Sequence, residues 1–255
     1  MGSAIIAGLR GLASPPAITV YDPVPAIRER HSSAGITCVA DPADAIPTSG
    51  VVVLAVKPQV VREALAPLRE HLTEHHVLIS ILAGTTIHTL ESLLNPGVRV
   101  IRCMPNTPMA IGAGMAALAA GSAASEADLA TAEAIFAPAA EVLRVNEDRM
   151  DAITAVSGSG PAYLFRFAEA QLAAAEALGF TTEEARLLVG QTLKGSIDYL
   201  LSQPEFPAAR LREQVTSPGG TTAAALQVLE EADFGDLINR ALAAAAARSR
   251  ELAAN

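Results

Sequence analysis

The strongest constraint on the fold of this chain is a change of hydrophobic period near Arg149. Before it, short β-branched runs alternate with amphipathic stretches of helix length: "AITVYD", residues 25–34, "GVVVLAV", residues 60–70, "VLISILAG" and "VRVIRCMP". Strands this apolar, separated by helical segments, belong to a parallel sheet covered on both faces. After it the β-branched runs stop, and Ala and Leu recur at helical spacing over residues 163–178, 182–201, 221–231 and 234–254. The predicted fold is α/β: a doubly wound domain over residues 1–148, then an all-α domain over residues 149–255.

Local signals agree with the helical half. Thr181 or Thr182 ahead of Glu184 reads as a capping box, and Pro161 suits a first helical turn. The Ala faces "QLAAAEALG" and "ALAAAAARS" let helices approach closely and expose more apolar surface than one small bundle hides. That predicts a homo-oligomer interface.

The first residues, "MGSAIIAGL", read as the helix of a nucleotide-binding strand–turn–helix unit. In such a unit the free N–H groups and positive dipole end of the helix face a pyrophosphate. Gly2 and Ser3 would stand at that helix start, with the first strand and the earlier glycines lying outside this sequence. Asp22 closes "AITVYD" at the spacing where an acidic side chain accepts hydrogen bonds from the adenosine ribose. A plain helix cap and a plain turn before proline describe the same residues when each is taken alone.

Four further motifs stand where ligands meet such a fold. "AVKP" (Ala55, Val56, Lys57, Pro58) and "MPNTP", with Asn106, end strands at the carboxyl edge of the predicted sheet. "SGSGPAY" opens the helical half. "VTSPGGTT" brings hydroxyls and a Pro-Gly-Gly turn to the start of a helix, which makes a carboxylate site from N–H groups without an arginine.

In this order and at these separations, the five motifs resemble the pyrroline-5-carboxylate reductase family over essentially the whole chain. The resemblance implies hydride transfer from NADPH or NADH to the imine carbon of 1-pyrroline-5-carboxylate, giving L-proline. It implies that Ser217, Gly219, Gly220 and Thr221 hold the substrate carboxylate and that the Thr222 hydroxyl bonds the ring nitrogen. Lys57 would lie beside the nicotinamide and its ribose, Asn106 would shape the nicotinamide pocket, and Ala83 and Gly84 would close it. The helical domain would interlock with that of a second subunit, so that the oligomer completes the site. Asp22 favours NAD over NADP, Arg28 would offset it if the loop folded back, and the family often uses NADP. A rival imine or hydroxyacid reductase would be expected to carry a catalytic lysine or aspartate in the helical half, where Lys194 stands in no motif. A second rival is a non-catalytic helical oligomer.

Other classes are disfavoured. A net charge of −9 argues against a nucleic-acid partner. No apolar run reaches the roughly 18 residues of a membrane span. The start lacks the basic residues of a secretory signal, and Ile6 breaks the myristoylation pattern, so the cytoplasm is the expected location. Cys38 and Cys103, in strand-like surroundings, are expected as buried free thiols, and the five histidines show no metal-ligand spacing.

Overall fold

The computed structural model describes residues 1–254. In chain order the first part contains α1 (Gly2–Arg10), β1 (Thr19–Val20), α2 (Pro25–Ser33), β2 (Thr37–Cys38), β3 (Gly50–Leu54), α3 (Val61–Leu65) and β4 (His76–Ser80). There follow α4 (Ile87–Leu93), β5 (Arg99–Pro105), β6 (Gly114–Ala120), α5 (Glu126–Phe136), β7 (Ala140–Arg144) and α6 (Met150–Ile153). The rest is helical: α7 (Gly160–Ala177), α8 (Thr182–Ser202), α9 (Ala208–Gln214), α10 (Thr221–Glu231) and α11 (Phe234–Ala254).

Among the described residues the strands form two sheets. β1 and β2 pair in parallel, and β3-β4-β5-β6-β7 form the larger sheet, parallel except where β6 runs against β5. A doubly wound sheet would join β1 to β3 through a central strand. Here those two strands belong to separate sheets, so β3 is an edge of the larger one.

The larger sheet is covered on both faces, as its strand composition requires. On β4, Val77 and Ile79 face one cluster with Ile5 of α1 and Phe136 of α5, while Leu78 faces the other with Leu65, Leu90 and Met150. This period-two division is what a pleated strand buried on both sides produces.

The chain divides into two compact units. The first is Met1–Pro161 together with the segment from Ala244 onward, and the second is Ala162–Ala243. In the first, the Ser249 hydroxyl donates to Asp151 Oδ1 at 2.6 Å, which ties the end of α11 to α6. In the second, Ala185 and Leu211 are the buried hydrophobic residues among those described, while Phe165, Leu187 and Leu201 are 61%, 72% and 73% exposed. No described helix is long and apolar enough to cross a membrane.

Candidate functional site

The site residues of the first unit gather mainly at one sheet edge. β3, β4 and β5 are parallel neighbours, with Leu54 level with Ser80 and Ser80 with Arg102. Their carboxyl ends therefore lead into 55–58, 83–84 and 106 along a common border. Gly2 joins them, because a Cβ built on it would sit 3.5 Å from the Ala55 Cβ. At the start of α1, the Ala4 and Ile5 N–H groups donate to the Met1 carbonyl, and buried Ile5 anchors the helix to the sheet. The N–H groups of Gly2 and Ser3 have no acceptor among the described residues. Such a start suits a phosphate.

The remaining positions differ in how firmly they are held. The Ser3 Oγ lies 3.4 Å from His31 Nε2 on α2. Lys57 is exposed and leads into a 3₁₀ turn, Pro58–Val60, whose Val60 N–H returns to the Lys57 carbonyl. Gly84 is buried with φ +71°, and a Cβ there would stand 3.0 Å from the Leu252 Cβ, so only glycine suits this bend. The Asn106 side chain is engaged within the fold: its Oδ1 accepts from the Met115 N–H at 2.9 Å, and its Nδ2 donates to the Ser157 carbonyl and hydroxyl, each at 3.3 Å. Asn106 thereby ties the end of β5 to the π-helical turn Thr154–Gly158, whose last two residues open "SGSG". The sequence offered no signal for that long-range link beyond the motifs themselves.

Asp22 stands apart from that border, just past the carboxyl end of β1 in the smaller sheet. Its Oδ1 accepts from the Val24 N–H at 2.8 Å, and Arg28 Nη1 donates to its main-chain carbonyl. Cys103 is fully buried, and burial pushes its thiol far above the ordinary cysteine range, so it is no nucleophile. Cys38 is a free thiol as well, only partly buried where full burial was expected, because β2 lies in the small two-stranded sheet.

In the second unit, "VTSPGGTT" makes a tight turn into α10. Gly219 has φ +69°, and the Gly220 N–H donates to the Ser217 carbonyl at 3.0 Å. A Cβ on Gly220 would lie 2.4 Å from the Ser217 Oγ and 3.1 Å from its carbonyl oxygen, so a side chain there would displace the Ser217 hydroxyl. Gly220 is the N-cap of α10 and supplies no side-chain bond. The first N–H groups of α10, from Thr221, Thr222 and Ala223, therefore meet no acceptor among the described residues. The Thr216 hydroxyl is engaged with the Arg212 carbonyl at 2.6 Å. Thr221 is exposed and Thr222 half-buried at this uncapped end.

An α/β unit whose parallel strands end along one border, followed by a helical unit, is the architecture of a nicotinamide-dependent oxidoreductase with an appended helical domain. Residues 1–84 match the family described as NADP oxidoreductase, coenzyme F420-dependent, and residues 147–252 match pyrroline-5-carboxylate reductase dimerisation. The pyrroline-5-carboxylate reductase of Pasteurella multocida is 38% identical over 258 residues, covering 99% of this chain and 94% of the relative. The Arabidopsis thaliana reductase is 36% identical over 225 residues, or 88% and 81% of the two chains. Among solved structures, the Coxiella burnetii reductase aligns with a TM-score of 0.89 at 36% identity, covering 98% of this chain and 94% of that one. The Plasmodium falciparum reductase, solved with NADP bound, aligns with the same TM-score at 28% identity, covering 99% and 94%. The chain belongs to the pyrroline-5-carboxylate reductase family.

Proposed function

We propose that the protein reduces 1-pyrroline-5-carboxylate to L-proline, the final step of proline biosynthesis, with NADPH or NADH as hydride donor. In this reading residues 1–148 hold the dinucleotide, and residues 149–255 hold the substrate and a second copy of the chain. The observation that carries it is the uncapped start of α10, where three N–H groups beside Ser217 and Thr222 suit a small carboxylate.

Bound nicotinamide supplies the hydride, and the substrate supplies a ring already electrophilic when its nitrogen is protonated. The work of the protein is then orientation and charge placement rather than strong acid–base catalysis. Ser217, Gly219, Gly220 and Thr221 form the carboxylate site: the Gly220 N–H closes the turn on the Ser217 carbonyl, and the Ser217 and Thr221 hydroxyls with the free N–H groups from Thr221 onward receive the carboxylate. The Thr222 hydroxyl meets the ring nitrogen, which keeps its proton as the imine carbon gains hydride. Gly2 and Ser3 receive the pyrophosphate and Asp22 the adenosine ribose. The edge formed by Ala55, Val56, Lys57, Pro58, Ala83, Gly84 and Asn106 surrounds the nicotinamide.

The exposed apolar side chains of the second unit and the dimerisation-family match support a homo-oligomer. In our reading a second subunit covers that surface and completes the site. The net charge of −9 supports a small-molecule partner rather than nucleic acid, and the reaction is assigned to the cytoplasm.

The test compares 1-pyrroline-5-carboxylate with 1-pyrroline, which lacks the carboxylate, in steady-state turnover with each reduced nucleotide. Proline formation is expected, with kcat/KM at least about a hundredfold lower for 1-pyrroline. Equal turnover of the two imines would remove the carboxylate role of α10.

A further inference from the structure

The segment that leads from β4 to α4 is hydrogen-bonded through its N–H groups at its two ends and not between them. At the near end the Ile81 N–H donates to the Leu54 carbonyl at 3.1 Å and the Leu82 N–H to the Ser80 hydroxyl at 3.4 Å. The N–H groups of residues 83–86 meet no acceptor among the described residues, and Gly84 has no side chain to anchor it. At the far end the Ile87 N–H, on the first residue of α4, reaches Glu147 Oε1 at 2.7 Å. The same Oε1 accepts from Arg102 Nη1 at 3.1 Å. Arg102 is buried on β5, and Glu147 is its ion partner among the described residues. Glu147 is half-buried in a 3₁₀ turn, Glu147–Arg149, that leads into α6. One carboxylate oxygen thus joins β5, the start of α4 and the approach to α6. A negative charge at a helix start is favourable, and the buried guanidinium holds the carboxylate in place, because leaving that cation unpaired is costly.

We propose that Glu147 is a positioning residue for the reduction: through the Ile87 N–H it fixes where Ala83 and Gly84 stand against the nicotinamide. The proposal rests on the nucleotide reading of the preceding section, in which those two residues close the nicotinamide pocket. Without the tether the segment shifts and the nicotinamide loses its wall, so the hydride no longer lies where transfer requires it. The ADP-ribose half of the nucleotide binds as before.

The test compares two double variants, Arg102→Met with Glu147→Gln and Arg102→Met with Glu147→Leu. Neither carries the buried ion pair, and of the two replacements at position 147 glutamine alone can accept from the Ile87 N–H. Each is titrated with NADH and NADPH and with ADP-ribose and its 2′-phosphate, which lack the nicotinamide, and kcat with 1-pyrroline-5-carboxylate is measured at saturating nucleotide. The glutamine variant is expected to keep kcat within about threefold of the parent, and the leucine variant to lose at least about tenfold. In the leucine variant the reduced nucleotides are also expected to lose affinity relative to the two nicotinamide-free fragments, whose own affinity stays that of the parent. Equal kcat in the two double variants, or fragment affinity falling in step with kcat, would overturn this inference alone. A parent that binds neither nucleotide, or binds one and reduces no imine, would overturn the reductase reading and this inference with it.

Discussion

A hydrogen at the Cα of residue 220, where any other residue carries a carbon, is what lets the turn before α10 close on Ser217. A methyl group at that position would stand 2.4 Å from the Ser217 Oγ and 3.1 Å from its carbonyl oxygen, so Gly220→Ala turns the Ser217 hydroxyl away and presses on the turn. In the proposed site this disturbs the Ser217 hydroxyl and the N–H groups of Thr221 and Thr222 that would receive the substrate carboxylate. A displacement of that size is expected to lower kcat/KM for the imine by about a hundredfold. Nucleotide affinity, measured by titration, is expected to stay unchanged. An equal loss in both would place the damage elsewhere. The same residue shows how far sequence alone reaches: "SPGGTT" is legible as a turn into a helix, but the resemblance, not the spacing, gives Thr222 its role.

At the scale of elements, agreement is closest where local signals and packing coincide. α8 begins at Thr182 with Thr181 and Glu184 forming the expected capping box, and α10 and α11 span the predicted residues. The helix predicted over residues 60–70 is shortened to Val61–Leu65, because Pro67 lacks an N–H and crowds the preceding turn, leaving 3₁₀ turns on either side. β6 has no signal in the sequence. Its residues, "GMAALAA", have helical propensity, and only burial between β5 and β7 makes them a strand. α5 rests on a second capping box, Ser125 with Asp128, and Asp128 Oδ1 also takes Arg99 at 2.6 Å. Burial alone would push the Asp128 carboxyl up, but the hydrogen bonds from Ser125 and the charge of Arg99 outweigh it and hold it below the ordinary range. A carboxyl lowered in the folded state stabilises above its unfolded value, about 3.9, and that contribution disappears as pH falls through the folded value. The stability gap between the parent and Asp128→Asn, measured by urea unfolding, is therefore expected to be full near neutrality and to shrink below about pH 4. A gap independent of pH would contradict this.

For the whole molecule, the two compact units, Met1–Pro161 with the segment from Ala244 onward and Ala162–Ala243, differ in kind. The first has a sheet with a core on each face, while the second leaves large apolar side chains uncovered. A second copy is the cover that the dimerisation-family match supports. Leu187→Glu, at a residue 72% exposed in the single chain, is expected to shift the protein towards monomer in sedimentation and to reduce turnover with it. An unchanged oligomer would remove Leu187 from the interface. Which surfaces meet is not legible in the sequence, since an Ala-rich face is as compatible with packing inside one chain as between two. The central claim, hydride transfer to a cyclic imine, is tested most directly by supplying reduced nicotinamide deuterated at the transferred position with 1-pyrroline-5-carboxylate and analysing the product by mass spectrometry. The expected product is L-proline carrying one deuterium on the former imine carbon; no proline, or proline without the label, would contradict the assignment.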